Sequence, residues 1–233
     1  MKRLKYIVFS GIDGSGKTTK ARLSQLFLSR IGVGSYYVWF RWNAYVSYLV
    51  LFIAKITRLT VRKKIGNQVI LIREYYRNKA LARLWIITQS IDFLISHIFH
   101  TFRAHLNKAQ VIIYDRFVIP DKIVDLIYET RINVFRNIVI RALIYYFISN
   151  IKGGKMIVIF NKVSPRKVLV IRKDIPSPIY PFIYNNLYDK VLKLLADAQG
   201  LYVLDSEKKL KENLSLLRNI LKEFLRSRQY NRG

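Results

Sequence analysis

Nine residues near the start of the chain, Gly11-Ile12-Asp13-Gly14-Ser15-Gly16-Lys17-Thr18-Thr19, fit the pattern G-x-x-x-x-G-K-[ST] at every fixed position. The flanks restrict the fold as strongly as the motif does. Tyr6-Ile7-Val8-Phe9 is a short apolar run rich in β-branched and aromatic residues, which predicts a buried strand. From Lys17 onward Ala21, Leu23, Leu26, Phe27 and Ile31 recur at helical spacing until Gly32 and Gly34 stop the run. A glycine-rich turn between a strand and a helix lets backbone N–H groups and the helix N-terminus converge on a polyphosphate. Gly11, Asp13, Gly14, Ser15, Gly16, Lys17, Thr18 and Thr19 are therefore the expected nucleotide-binding residues, with ATP and Mg²⁺ as cofactors. Lys17 supplies a charge for the β and γ phosphates, and the Thr18 hydroxyl is the expected metal ligand.

The rest of the chain repeats the alternation of strand and helix. Tyr36 to Phe40, Val111 to Tyr114, Met156 to Phe160 and Leu201 to Leu204 read as further strands. Between them lie a mostly helical stretch from about Ala44 to Lys108, broken near Gly66-Asn67, and helices over 119–150, after Ser164-Pro165, over Tyr184 to Gln199 and from Glu207 to about Arg226. Ile175 to Pro181, IPSPIYP, holds three of the five prolines and predicts an exposed loop. The pattern implies an α/β fold of the P-loop NTPase type, a five-stranded parallel sheet covered by helices on both faces, in a single domain over 1–233.

Composition narrows the function classes. Half the residues, 52%, are apolar or aromatic, so the chain has the means to fold, and with no cysteine it has neither a thiolate metal site nor a cysteine nucleophile. The apolar run AYVSYLVLFIA at 44–54 is shorter than the ~20 residues a bilayer crossing needs. Two longer runs carry Asp92 and Arg141 inside them, and mid-span charges are costly. The expected location is the cytoplasm. A net charge of +27 attracts polyanions, but the cations are spread along the chain and no nucleic-acid motif accompanies them. Salt-sensitive, weak association with anionic surfaces is expected, and a specific nucleic-acid partner is not. His97, His100 and His105 lack accompanying carboxylates at metal-site spacing and read as structural.

A second motif, Val111-Ile112-Ile113-Tyr114-Asp115-Arg116-Phe117, puts an acid at the end of an apolar strand, where a phosphate-loop fold holds the metal or its water shell. FSGIDGSGKTTK followed by IIYDRF resembles the thymidylate kinases among the nucleoside monophosphate kinases. The resemblance covers most of the chain in layout and is specific at these two motifs. It implies transfer of the γ-phosphoryl group of ATP to a nucleoside monophosphate, dTMP giving dTDP, in a homodimer. By the same resemblance Asp13 faces the acceptor's sugar, Asp115 assists magnesium and Arg116 clamps the acceptor phosphate. The acceptor site falls to residues of about 41–108 and the lid to about 165–181. Arg166, Arg172 and Lys173 are the lid candidates, Arg172 being assigned to catalysis beside Lys17 and Arg116.

The chain also departs from that family. The Arg-Glu-Pro-Gly-Gly run usual after the second strand is here Phe40-Arg41-Trp42-Asn43, with Arg41 left to hold the acceptor phosphate. The aromatic residue and arginine that meet the base match Trp85 and Gln89, so the arginine is absent. Two rival readings follow: a related kinase for another phosphorylated or lipid-linked acceptor, and a basic ATPase acting on nucleic acid.

Overall fold

The computed structural model describes residues 4–40, 44–65, 68–172, 175–197 and 199–226. Five strands, β1 (Lys5–Ser10), β2 (Ser35–Trp39), β5 (Val111–Asp115), β6 (Met156–Lys162) and β7 (Leu201–Asp205), form one parallel sheet in the order β2-β5-β1-β6-β7. β1 is central and all six of its residues are buried, which explains why it reads as a continuous apolar run. Alternate side chains then serve two cores. Tyr6, Val8, Ile112, Tyr114, Val158 and Phe160 face one of them, while Ile7, Phe9, Ile113, Ile157, Ile159 and Leu204 face the other.

Helices α1 (Lys17–Arg30) and α8 (Leu210–Arg226) cover the second core through Ala21, Leu28, Leu217, Leu221 and Phe224. Helices α3 (Lys79–Leu106), α4 (Ile123–Thr130), α5 (Ile138–Lys152) and α7 (Tyr180–Lys193) cover the first. The result is the expected three-layer α/β sandwich. Because β5 and β6 flank β1 on opposite sides, the strand order reverses at β1, and the loop after β1 opens onto the crevice that such a reversal creates.

Four sequence expectations need correction. The stretch 44–108 is not helix throughout: between α2 (Tyr48–Ile56) and α3 stand two antiparallel strands, β3 (Thr60–Ile65) and β4 (Gln68–Arg73), while the expected break at Gly66-Asn67 itself lies outside the described residues. Residues 119–150 are broken into a π turn (Val118–Lys122), α4, a 3-10 turn (Val134–Arg136) and α5, with Asn137 capping α5 by accepting from the N–H groups of Val139 and Ile140. The proline-rich stretch ends inside a helix: α7 begins at Tyr180, and Pro181, at its first turn, is buried. That helix stops at Lys193, short of Gln199.

The Ser164-Pro165 start is as expected. The Ser164 hydroxyl accepts from the Lys167 N–H at 3.3 Å and opens α6 (Pro165–Ile171). Asp92, an acid in the middle of an apolar helix, is explained by tertiary structure. Fully buried, it accepts hydrogen bonds from the N–H groups of Val46 and Ser47 and from the Ser47 hydroxyl, tying α3 to the segment that opens α2. Among the described residues no helix is long and apolar enough to cross a membrane.

Candidate active site

The loop after β1 makes its turn with three glycines at positive φ, Gly11 (138°), Gly14 (88°) and Gly16 (75°). At Gly11 the demand is steric as well, since a Cβ there would lie 2.5 Å from the Asn161 carbonyl oxygen. Distant residues hold the loop. The Asn161 amide donates to the Ser10 carbonyl (3.1 Å), the Tyr188 hydroxyl to the Gly11 carbonyl (3.2 Å), and the Ser206 hydroxyl to the Ser15 carbonyl (2.7 Å). Asp121, fully buried, accepts from the Gly11 and Phe117 N–H groups and from the Tyr188 hydroxyl. Burial raises the Asp121 carboxyl above its ordinary range, although the charges of Arg116 and Lys17 pull it back.

In front of the loop lies a cleft of about 550 Å³, lined by Asp13, Gly14, Gly16, Lys17, Thr18, Arg22, Tyr37, Trp39, Arg116 and Arg172. The cleft thus collects cations from α1, the end of β5 and the end of α6 around one carboxylate. Lys17 donates to the Ile12 carbonyl at 3.1 Å and to Asp13 at 3.2 Å, and Arg116 forms an ion pair with the same Asp13 oxygen. Arg116 sits in left-handed backbone conformation (φ 70°) directly after β5, which turns its side chain into the crevice. The side chain of Arg172 lies over Gly14, where an added Cβ would meet its Cγ at 3.2 Å. Ser15 is buried, while Thr18 and Thr19 are exposed, Thr18 at the cleft.

Asp115 is fully buried one residue before Arg116. Its Oδ2 accepts from the Tyr37 hydroxyl at 2.8 Å, and its Oδ1 has no hydrogen-bond partner among the described residues. Arg22 stacks on the Tyr37 ring at 3.5 Å. Burial and the bond to Asp115 raise the Tyr37 phenol well above its ordinary range.

Trp85 and Gln89 come together on the inner face of α3, at a second and smaller cavity of about 20 Å³ that also touches Arg73, Lys122, Asp125 and Glu129. The Trp85 indole N–H donates to Glu129 (2.8 Å), which also accepts from Arg73 (2.6 Å), and its ring meets Tyr75 edge-on. Gln89 donates to the Ser47 hydroxyl at 2.6 Å. A cavity this size has room for about one water, so a base enters only if these side chains rearrange. Arg73 also lines an outer groove of about 500 Å³ beside Tyr76, Tyr128 and Arg131.

The structure thus gathers Asp13, Gly14, Gly16, Lys17, Thr18, Arg116 and Arg172 at one cleft, sets Asp115 behind Tyr37, and keeps Trp85 and Gln89 at a neighbouring cavity. Arg166 is exposed on α6. Arg41 and Lys173 lie outside the described residues. Sequence reasoning did not single out Arg22, Tyr37, Trp39, Asp121, Tyr188 or Ser206. Of these only Arg22 carried a local signal, as a cation five residues after Lys17 on the same helix.

No family model and no curated protein matches the sequence. Among solved structures the chain is similar to a deoxyadenosine kinase from M. mycoides with bound dATP, with a TM-score of 0.52 and 17% identity over 93% of this chain and 99% of that one. At that identity the likeness is one of fold, and it extends over nearly the whole of both chains.

Proposed function

We propose that the protein is an ATP-dependent kinase that passes the γ-phosphoryl group to a nucleoside monophosphate, with dTMP the first acceptor to test. The observation that carries this reading is the charge layout of the cleft. Lys17, Arg22, Arg116 and Arg172 surround a space of about 550 Å³ whose one carboxylate among the described lining residues, Asp13, is already engaged by Lys17 and Arg116. Such a site suits two anionic groups brought end to end. An acceptor phosphate oxygen is anionic before it reacts, so no general base is required, and positioning with charge neutralisation does the catalysis.

In this reading the loop amides and Lys17 hold the donor polyphosphate, Arg116 aims the acceptor phosphate, and Arg172 meets charge spreading onto the moving group. Mg²⁺ fits the donor set: the Thr18 hydroxyl stands at the cleft, and Oδ1 of Asp115, which has no hydrogen-bond partner among the described residues, is a hard oxygen suited to the ion's water shell. When bound, the ion neutralises phosphate charge. Gln89 beside Trp85 favours a second reading, in which an uncharged amide reads the base of a nucleoside acceptor, as the deoxyadenosine kinase of similar fold makes natural to test. For the oligomeric state we propose a homodimer, docked on the exposed stripe Leu84, Ile87, Ile91, Leu94, Ile98 and Phe102 of α3; sedimentation checks it.

The deciding experiment incubates the protein with MgATP and a panel of nucleosides and nucleoside monophosphates, with ADP and phosphorylated product both measured. Turnover of dTMP that Lys17→Ala abolishes supports the proposal. Turnover of a nucleoside alone moves the assignment to the second reading, and absence of product across the panel overturns both.

A further inference from the structure

Lys20 lies one turn into α1, only 3% exposed, and is not among the residues that line the cleft. Its ammonium donates to the Ser206 hydroxyl oxygen at 3.0 Å, and that hydroxyl donates in turn to the Ser15 carbonyl at 2.7 Å. Because Ser206 Oγ accepts from Lys20, its single hydrogen is directed to Ser15. The Ser15–Gly16 peptide is trans, since the one cis bond among the described residues is Ile119–Pro120. In a trans peptide the carbonyl and the following N–H point in opposite directions. Fixing the Ser15 carbonyl toward Ser206 therefore turns the Gly16 N–H the other way, and Gly16 lines the cleft.

We propose that Lys20 and Ser206 are a positioning pair that aims the Gly16 N–H at the donor polyphosphate from behind the loop. The inference rests on reading the loop as a nucleotide site. A second observation supports it. The Lys20 ammonium lies 3.9 Å from the point where a Cβ on Gly16 would stand, so its charge sits directly behind the phosphate-binding turn. Burial pushes this ammonium down to about 8, with the Asp205 charge pulling it back up. A desolvated cation is unfavourable for folding where an apolar side chain of the same length would pack, and such local conflicts mark functional positions.

The test compares MgATP affinity by calorimetry with unfolding in denaturant for Lys20→Met, Lys20→Arg and Ser206→Ala. The expected result is about a tenfold weaker affinity for Lys20→Met and Ser206→Ala, the size of one lost charge-assisted hydrogen bond. Lys20→Arg restores most of it, and the Lys20→Met unfolding midpoint is unchanged or higher. Wild-type affinity in Lys20→Met, or a loss that appears only together with a lowered midpoint, overturns the positioning role while leaving the nucleotide site intact. A wild-type protein that binds no MgATP overturns the nucleotide reading and this inference with it.

Discussion

The ammonium of Lys17 rests 3.2 Å from Oδ1 of Asp13, an acid four residues earlier in the same loop. The lysine proposed to bind phosphate is thus engaged by its own loop, and Arg116 shares the same oxygen. A polyphosphate must compete with the Asp13 carboxylate for both cations. Asp13→Asn removes that competitor, so MgATP affinity is expected to rise about threefold to tenfold, while turnover falls because Arg116 loses its partner. Calorimetry and steady-state rates on one preparation check both; weaker MgATP binding would count against the competition.

Arg172 lies across Gly14 at the end of the short helix α6, where on the proposed reading it would meet the donor phosphates. Arg172→Ala is expected to lower kcat about a hundredfold or more and to change MgATP affinity by less than about threefold. Rapid-quench measurement of the chemical step distinguishes this from slowed product release.

Gly11 combines a φ of 138° with a site where a Cβ would stand 2.5 Å from the Asn161 carbonyl and 2.8 Å from Ser15 Oγ. Gly11→Ala is expected to destabilise the fold by about 2 kcal/mol or more, because the close neighbour is sheet backbone with little room to give. Denaturant unfolding measures the cost, and loss of MgATP binding accompanies it.

His97 is packed among Tyr6, Tyr114, Phe117 and Phe147, and burial together with the charge of His100 holds its imidazole down to about 4 from the usual 6.5. Between those values the unfolded chain takes up a proton that the folded one refuses, so stability falls as pH falls through that window. The contribution is about 3 kcal/mol between about pH 7 and pH 4. Denaturant unfolding across that range measures it, and His97→Gln is expected to flatten the slope by a similar amount.

What the sequence made legible follows from where each signal is local. Val111 to Tyr114 and Tyr6 to Phe9 are buried on both faces of the sheet, so a continuous apolar run marks them without knowledge of their neighbours. The phosphate loop is likewise local, because its glycines meet their conformational demand within nine residues. The β3–β4 hairpin was not legible: Gly66-Asn67 is a turn signal in the sequence, and a break in a helix and a link between two strands call for the same residues. Pro181 misled because proline excludes helix interiors yet suits a first turn, and only the position of α7 decides between the two. Asp92 resembled a charge that disfavours burial until Val46 and Ser47 supplied its donors. Tyr188 and Ser206 touch the loop from more than 170 residues away, and no periodicity reports such a contact.

Those long-range bonds also set an order of events during synthesis. Ser10 waits for Asn161, Gly11 for Asp121 and Tyr188, and Ser15 for Ser206, so the loop is synthesised well before the residues that supply these supporting contacts. A nascent chain halted before β7 carries the complete phosphate-loop sequence without the hydroxyl that turns its Ser15 carbonyl away from the cleft. On the proposed reading, nucleotide capture would then be a late checkpoint on the finished sheet rather than an early nucleus for it, and ATP would stabilise completed molecules in preference to partial ones.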